Sequence, residues 1–116
     1  MENSVIIIGA GVVGLACAQE LAKNGYEVFI TEQDKNIATQ TSTRNSGVIH
    51  AGIYYPPNSL KAKLCIRGKN LLYEYCEKFN VPHSRTKKMI VATTRDETKI
   101  LSKLKDTATK NGLELE

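Results

Sequence analysis

The hydrophobic pattern over the first third of the chain combines two short apolar runs with one helical repeat between them. Val5 to Ile8 are four consecutive β-branched residues, which is typical of a parallel strand buried on both faces. Small and apolar residues then recur at helical spacing up to Asn24-Gly25, a pair that ends helices in a left-handed turn. Glu27–Thr31 is the next strand candidate. The pattern therefore predicts a βαβ unit.

The turn between the first strand and the helix is rich in glycine. Gly9, Gly11 and Gly14 form Gly-x-Gly-x-x-Gly directly after the strand. The first glycine permits a tight turn, the second lets the backbone approach a diphosphate, and the third lets the helix pack on the sheet. The helix start, where Val12 and Val13 lie, presents free amides and a positive dipole end. The turn therefore predicts a site for a pyrophosphate.

An acidic residue follows the second strand. Glu32 lies about twenty residues beyond the glycines, where dinucleotide-binding units place the group that binds the adenosine ribose. An acid here disfavours a 2′-phosphate, so NADP is an unfavourable ligand. The alternative is a βαβ unit with an incidental glycine turn.

The middle of the chain changes from polar loop to long helix. Residues 34–43 are crowded with polar side chains and predict a loop or a frayed helical turn. Asn58 is the predicted N-cap of a helix reaching about Phe79, and Gly68 inside it indicates close packing against another backbone. One face of this helix is apolar, through Leu60, Leu64, Leu71, Leu72, Tyr75, Cys76 and Phe79.

The last third predicts a strand, a helix and the start of another strand. Residues 88–94 form the strand candidate, and Thr94 with Glu97 forms a capping box. The helix that follows is expected to face inward through Ile100, Leu101, Leu104 and Ala108. Asn111-Gly112 ends it, and residues 113–116 begin a further strand.

Composition bounds the class of protein. The 116 residues suffice for one small domain, and 41% hydrophobic with 24% charged residues is a globular balance. No apolar run reaches membrane-spanning length, and the N-terminus lacks the basic start of a signal peptide. Cys17, Cys65 and Cys76 are scattered within predicted helices, which favours reduced, buried thiols over disulfides or a metal site. These observations predict a cytoplasmic protein.

The net charge of +4 is modest. The basic residues cluster at Lys61, Lys63, Arg67 and Lys69 and again at Arg85, Lys87 and Lys88. Solvated surface accounts for such runs, and nucleic-acid binding would require an aromatic or groove-reading element beside them. Attraction of an anionic substrate remains an alternative.

A second block of interest runs from residue 42 to residue 57, with small polar residues, two glycines and two tyrosines. Such a backbone suits close contact with a ligand. His50 is a candidate general base, because histidine exchanges protons near neutral pH; lining a cofactor pocket or a structural role are alternatives. Tyr54 and Tyr55 serve either in packing or in facing a substrate, and Arg44 either pairs with a carboxylate or phosphate or lies on the surface.

Several segments together resemble the D-amino-acid-oxidase-like family of FAD-dependent oxidoreductases, and within it the members that oxidise L-2-hydroxyglutarate. They are G-A-G-V-V-G at 9–14, Glu32, N-S-G-V-I-H-A-G-I-Y-Y-P at 45–56, S-L-K-A-K-L-C at 59–65 and L-L-Y-E-Y-C at 71–76. The resemblance implies FAD as cofactor, with Gly9, Gly11 and Gly14 along the pyrophosphate and Glu32 on the ribose. The ribityl and isoalloxazine portion would lie along Thr43, Arg44, Asn45, Ser46 and Gly47. His50, Tyr54 and Tyr55 would lie near the redox face.

The resemblance also implies a fold and a reaction. The fold is α/β: an N-terminal βαβ of a Rossmann-like FAD-binding domain at 1–80, a long helix, and the start of an α+β substrate domain at 81–116. The reaction is oxidation of an L-2-hydroxy acid, L-2-hydroxyglutarate above all, to the 2-oxo acid by hydride transfer to flavin. The protein is expected to have neither a nucleic-acid partner nor a transmembrane segment.

The chain is short for this family, which leaves alternatives open. It is expected to be an N-terminal fragment, inactive alone, that a downstream chain could complete. One alternative is an amine-, amino-acid- or glycerol-3-phosphate-oxidising flavoenzyme of the same family. Another is a non-catalytic remnant or nucleotide-binding module.

Overall fold

The computed structural model of the protein describes residues 3–115, which contain two strands and three helices. They are β1 (Ser4–Ile8), α1 (Val12–Lys23), β2 (Glu27–Thr31), α2 (Leu60–Lys78) and α3 (Arg95–Lys110). The chain divides into two compact units, Met1–Val48 and Ile49–Glu116. The first unit contains the βαβ element, so the prediction of an α/β fold that begins with this element is confirmed.

The two strands of the first unit pair in parallel. The register runs from Ser4 opposite Glu27 to Ile8 opposite Thr31. Helix α1 packs on the sheet face that carries Ile7. On the other face Ile6 is 66% and Ile8 90% exposed, so the prediction of a strand buried on both faces is wrong for residues 3–115. The reason is that only one layer of helix covers this two-stranded sheet.

Helix α1 ends where the sequence predicts. Asn24 is the C-cap, and its backbone N–H donates to carbonyls of the last turn. Gly25 follows with φ +84°, the left-handed conformation in which glycine carries no side-chain penalty. The chain can therefore reverse at once into β2, which starts two residues later.

Helix α2 of the second unit begins one residue later than predicted. Ser59 is the N-cap, with its hydroxyl accepting from the Ala62 amide, whereas Asn58 precedes it at φ +65°. Gly68 does not mark close packing, because a Cβ built there has open space within 4 Å. The predicted apolar face is largely exposed, with Leu60 71% exposed, and Ala62 and Cys76 are the buried residues of the helix.

Helix α3 starts with the predicted capping box. The Thr94 hydroxyl accepts from the Glu97 amide, and the Glu97 carboxylate accepts from the Thr94 amide. Ala108 is fully buried, whereas Ile100 is 64% exposed and does not face inward. Asn111 caps the C-terminus, and Gly112 follows at φ +78°.

Neither downstream strand forms within the described residues. Residues 88–93 and 113–115 do not lie in a strand, and Glu116 lies outside the described part. Their β-branched and apolar residues favour extended backbone, but a strand also needs a neighbouring strand for its hydrogen bonds. The predicted start of a substrate domain at residue 81 stays a prediction.

The cysteines are free and lie within helices α1 and α2, as predicted. Their burial differs from the prediction, since Cys17 is exposed, Cys65 is half-buried and only Cys76 is buried. No helix between residues 3 and 115 is both long and apolar enough to cross a membrane.

Candidate functional site

The glycine turn after β1 depends on two of its three glycines for steric reasons. Gly9 has φ +99°, and its amide donates to the Thr31 carbonyl at 2.7 Å, which joins the end of β1 to β2. A Cβ at Gly14 would overlap the Gly9 carbonyl oxygen and lie 3.3 Å from Ile7 Cγ2. The turn is therefore as tight as the motif predicts, and helix α1 approaches the strand closely enough to exclude any side chain at Gly14.

The N-terminus of α1 has an unusual partner from a distant loop. Gly11 is the N-cap and provides no side chain. The Ser42 hydroxyl instead accepts from the Val12 amide at 2.9 Å. The amides of Val13 and Gly14 belong to the first turn, where a helix offers no internal acceptor. These amides, at the positive end of the helix dipole, suit an anionic ligand.

Glu32 contacts the glycine turn directly. One carboxylate oxygen accepts from the Ala10 amide at 2.8 Å and the other from the Asp34 amide at 3.1 Å. These N–H donors, that of Ala10 first, hold the pKa of Glu32 below its ordinary value of 4.5 because they stabilise the ionised form. An ionised carboxylate, the form that accepts hydrogen bonds from ribose hydroxyls, is therefore fixed beside the turn.

The loop after β2 folds back on the glycine turn. The Ala38 amide donates to the Ala10 carbonyl at 3.0 Å, and the Thr43 hydroxyl donates to the Ala38 carbonyl at 2.8 Å. Asn45 accepts from the Gly47 amide at 2.8 Å, which forms a local turn. The side chains of Thr43 and Asn45 thus organise the loop. Arg44 and Ser46, predicted for the same cofactor portion, are exposed.

An open cleft lies at the carboxyl end of the two strands, where doubly wound sheets bind ligands. Its volume is about 500 Å³, and it is lined by Ile8, Gly9, Thr31, Glu32 and Gln33. A Cβ at Gly9 would meet nothing within 4 Å, so the turn presents bare backbone to open space. The cleft, the helix amides and the ionised Glu32 fit the adenosine and diphosphate portion of FAD.

In the second unit, His50 and Tyr55 lie together. His50 Nδ1 is 3.2 Å from the Tyr55 hydroxyl oxygen, and Lys61 Nζ lies 4.6 Å from the centroid of the Tyr55 ring. Tyr54 is directed to another cation, with its hydroxyl accepting from Lys88 Nζ at 2.9 Å. The two neighbouring tyrosines therefore have separate partners.

The turn between these residues is held from two helices. Gly52 is buried at φ +90°, and a Cβ there would come within 2.8 Å of Ile66 Cγ1 on α2. The Asn111 side-chain amide, at the end of α3, donates to the Gly52 carbonyl at 3.3 Å and to the Tyr55 carbonyl at 2.9 Å. Cys65 Sγ is 3.5 Å from the His50 carbonyl oxygen. The backbone of residues 50–55 is thus fixed at both ends.

Sequence reasoning missed Ser42 and Asn111. It assigned Lys61 and Lys88 to basic clusters on the solvated surface, with attraction of an anionic substrate as the alternative. Ser42 directly precedes the stretch 43–47 assigned to the cofactor, but nothing in the sequence shows that it reaches the helix N-terminus. Asn111 carries the helix-stop signal, and its second role depends on tertiary contact over 56 residues. Both lysines belong to the predicted basic clusters and lie over tyrosine rings, as does Arg85 of the second cluster, which lies 4.2 Å from the centroid of the Tyr73 ring.

Comparison with known families gives a match over residues 4–116 to the model described as FAD dependent oxidoreductase. The chain belongs to this FAD-dependent oxidoreductase family. The prediction made from the glycine turn, Glu32 and the block around His50 is therefore confirmed at the level of the family, and FAD is the cofactor on which the family depends.

Individual relatives are named more narrowly. The chain is 54% identical over 106 residues to a protein of Arabidopsis thaliana named L-2-hydroxyglutarate dehydrogenase, mitochondrial, covering 91% of this chain and 22% of the relative. It is 42% identical over 112 residues to the protein of that name from Bos taurus, covering 95% of this chain and 24% of the relative. It is 41% identical over 115 residues to L-2-hydroxyglutarate dehydrogenase of Indibacter alkaliphilus, covering 97% and 29%. The chain thus spans about a quarter of the length of these curated relatives.

The prediction of a cytoplasmic protein is wrong. The finding that overturns it is that the relatives from Arabidopsis thaliana, Nematostella vectensis and Bos taurus carry the word mitochondrial in their names. The prediction rested on unpaired thiols and on the lack of a secretory signal. Both observations argue against the secretory route without distinguishing among the remaining compartments.

Proposed function

We propose that this chain supplies the N-terminal part of an FAD-dependent enzyme that oxidises L-2-hydroxyglutarate to 2-oxoglutarate. The names of the relatives, at 41–54% identity over most of the chain, support the substrate. The observation that carries the proposal is the glycine turn with the ionised Glu32 bound to its Ala10 amide. This arrangement suits the adenosine diphosphate half of FAD.

The residues divide by the part of the cofactor they would hold. Gly9, Gly11 and Gly14, with the Val13 amide, would hold the pyrophosphate, and Glu32 would accept from the ribose hydroxyls. Val12 would lie beside the pyrophosphate, since its own amide donates to Ser42. Thr43, Arg44, Asn45, Ser46 and Gly47 would follow the ribityl and isoalloxazine portion. Bound FAD supplies the hydride acceptor.

The second unit would contribute to the substrate side. His50, Tyr54 and Tyr55 would face the hydroxy acid, and Lys61 and Lys88 would add positive charge for its carboxylates. The lysines are suited to this because each already lies over a tyrosine ring, at 4.6 Å for Lys61 and 5.0 Å for Lys88. Such a surface favours a dianion over a neutral substrate.

The substrate is tested by turnover. The chain would be combined with a polypeptide covering the remaining length of the Arabidopsis relative, and dye reduction would be followed with L-2-hydroxyglutarate. The proposal predicts turnover with this acid and little with its D-isomer, sarcosine or glycerol 3-phosphate. Turnover with sarcosine or glycerol 3-phosphate instead would assign the chain to another branch of the family. FAD binding without turnover of any of these compounds would make it a nucleotide-binding module.

A further inference from the structure

His50 and Tyr55 are coupled, and their contact has a direction that follows from their chemistry. Nδ1 of His50 and the Tyr55 oxygen are 3.2 Å apart, and both side chains carry a proton that either could donate. The phenol O–H is a stronger acid than the N–H of a neutral imidazole, and the imidazole nitrogen is the stronger base. The pair is therefore more stable with the phenol donating and Nδ1 accepting.

Lys61 reinforces this direction. Its ammonium lies 4.6 Å from the centroid of the Tyr55 ring. A cation over the ring face draws electron density from the phenol, so the oxygen becomes a weaker acceptor and its O–H a stronger donor. The neighbouring Tyr54 differs, because its oxygen accepts from Lys88 Nζ at 2.9 Å.

The backbone that carries the two side chains is held in place by contacts from other residues. Asn111 donates to the Tyr55 carbonyl at 2.9 Å and to the Gly52 carbonyl at 3.3 Å. On the other side, Cys65 Sγ lies 3.5 Å from the His50 carbonyl oxygen. Since helices α2 and α3 hold both ends of the turn, the contact does not depend on the chance meeting of two surface side chains.

We propose that Tyr55 is a positioning residue that holds neutral His50 with its proton on Nε2. His50 then offers a ligand an N–H donor at Nε2 rather than a lone pair. Only the identity of the ligand rests on the proposed function: there, the ligand is the hydroxy acid, and the Nε2 donor binds one of its oxygens. With a proton already on Nε2, His50 has no lone pair there for the hydroxyl proton of the substrate, so the proposal gives His50 a role in binding and orientation instead of the role of general base predicted from the sequence.

The test is the tautomer of His50, measured by nitrogen NMR of the isotope-labelled full chain above the pH at which imidazole is charged. A nitrogen without a proton resonates far downfield of one that carries a proton. The proposal predicts a downfield Nδ1 and an upfield Nε2 for His50. His83 is an internal reference of opposite tautomer, because its Nδ1 lies 2.9 Å from the Val81 carbonyl, which only accepts.

Two variants test whether the Tyr55 hydroxyl sets the tautomer of His50. Tyr55→Phe keeps the ring under Lys61 and removes only the hydroxyl, so the Nδ1 signal of His50 should shift upfield as both tautomers become populated. Tyr54→Phe is the matched control and should leave the His50 signals in place. Unchanged His83 signals report that each variant is folded.

A protonated Nδ1 on His50 in the wild-type chain would overturn the proposal. Nitrogen shifts of His50 that stay unchanged in Tyr55→Phe would also overturn it. Neither result depends on cofactor or substrate. Failure of the proposed function, seen as absence of FAD binding or turnover, is therefore distinguishable from failure of this inference.

Discussion

The Glu32 carboxylate accepts a hydrogen bond from the Ala10 amide at 2.8 Å across 22 positions of sequence. This contact joins the end of β2 to the glycine turn and fixes an ionised acid where the ribose would be bound. Because the same turn carries the helix amides, one hydrogen bond aligns the two halves of the proposed adenosine diphosphate site.

The first prediction concerns acid stability. The pKa of Glu32 is held below 4.5 by the Ala10 amide, that of Asp34 below 3.8 by Thr39, and that of Glu97 below 4.5 by Thr93. A carboxyl group whose pKa is lower in the folded than in the unfolded protein stabilises the fold at pH values above its unfolded pKa. This contribution is lost as the pH falls through its folded pKa. The free energy of unfolding should therefore be level above about pH 5 and fall below it.

Glu32→Gln should remove part of that dependence. Thermal melts at neutral pH and at acid pH should differ less in this variant than in the wild-type protein. Glu74→Gln, on the exposed surface of α2, removes one carboxylate that has no backbone amide partner among residues 3–115 and is the matched control. An acid dependence equal in both variants would show that the Ala10 contact does not stabilise the fold.

The second prediction compares two glycines in helices. A Cβ at Gly14 meets the Gly9 carbonyl, whereas one at Gly68 meets open space. Gly14→Ala should lower the free energy of unfolding by about 1–3 kcal/mol through overpacking. Gly68→Ala should raise it by about 0.5–1 kcal/mol, because alanine costs less backbone entropy in a helix. Urea unfolding measures both, and equal effects at the two sites would contradict the tight turn.

These two glycines also show what sequence reasoning can reach. The role of Gly14 was predictable because a motif of fixed spacing places it between a strand and a helix. Gly68 carries no such motif, and its predicted close packing is wrong because the residue lies on an open face of α2. The N-cap was displaced by one position, since Asn58 and Ser59 are both good caps and only the backbone at φ +65° excludes Asn58.

The third prediction concerns Ser42. Its hydroxyl caps α1 from thirty residues away by accepting from the Val12 amide at 2.9 Å. Ser42→Ala should destabilise the FAD-free chain by about 0.5–2 kcal/mol, the usual effect of removing a helix cap. Ser84→Ala, in the exposed stretch between α2 and α3, should change stability by less than about 0.5 kcal/mol. Chemical denaturation compares the two variants. An equally small loss of stability in both would show that the Ser42 hydroxyl does not cap α1.

The fourth prediction concerns Asn111. Its side-chain amide donates two hydrogen bonds to the turn that carries Tyr55. Asn111→Leu keeps the size and removes both donors, so it should cost about 1–3 kcal/mol and speed amide exchange at residues 52–55. Asn70→Leu on α2 is the control substitution. Unaltered exchange at 52–55 in Asn111→Leu would show that the turn is held by other contacts.

Contacts such as those of Ser42 and Asn111 lie beyond sequence reasoning for a physical reason. Local spacing predicts a helix, its caps and a glycine turn, because each depends on residues within one turn of chain. A hydroxyl reaching a helix 30 residues away depends on how a loop folds back, which no local pattern encodes. The strand predicted at 88–94 shows the converse, since local β preference is present and no pairing strand lies within residues 3–115.

The central claim is that the turn from Gly9 to Gly14 binds the diphosphate of FAD. Its most direct test is a titration of FAD with the purified chain, followed by flavin fluorescence. The account predicts saturable quenching that Gly68→Ala preserves and that Gly14→Ala and Glu32→Gln each weaken several-fold. No saturable quenching by the folded chain, or equal affinity in all three variants, would contradict it.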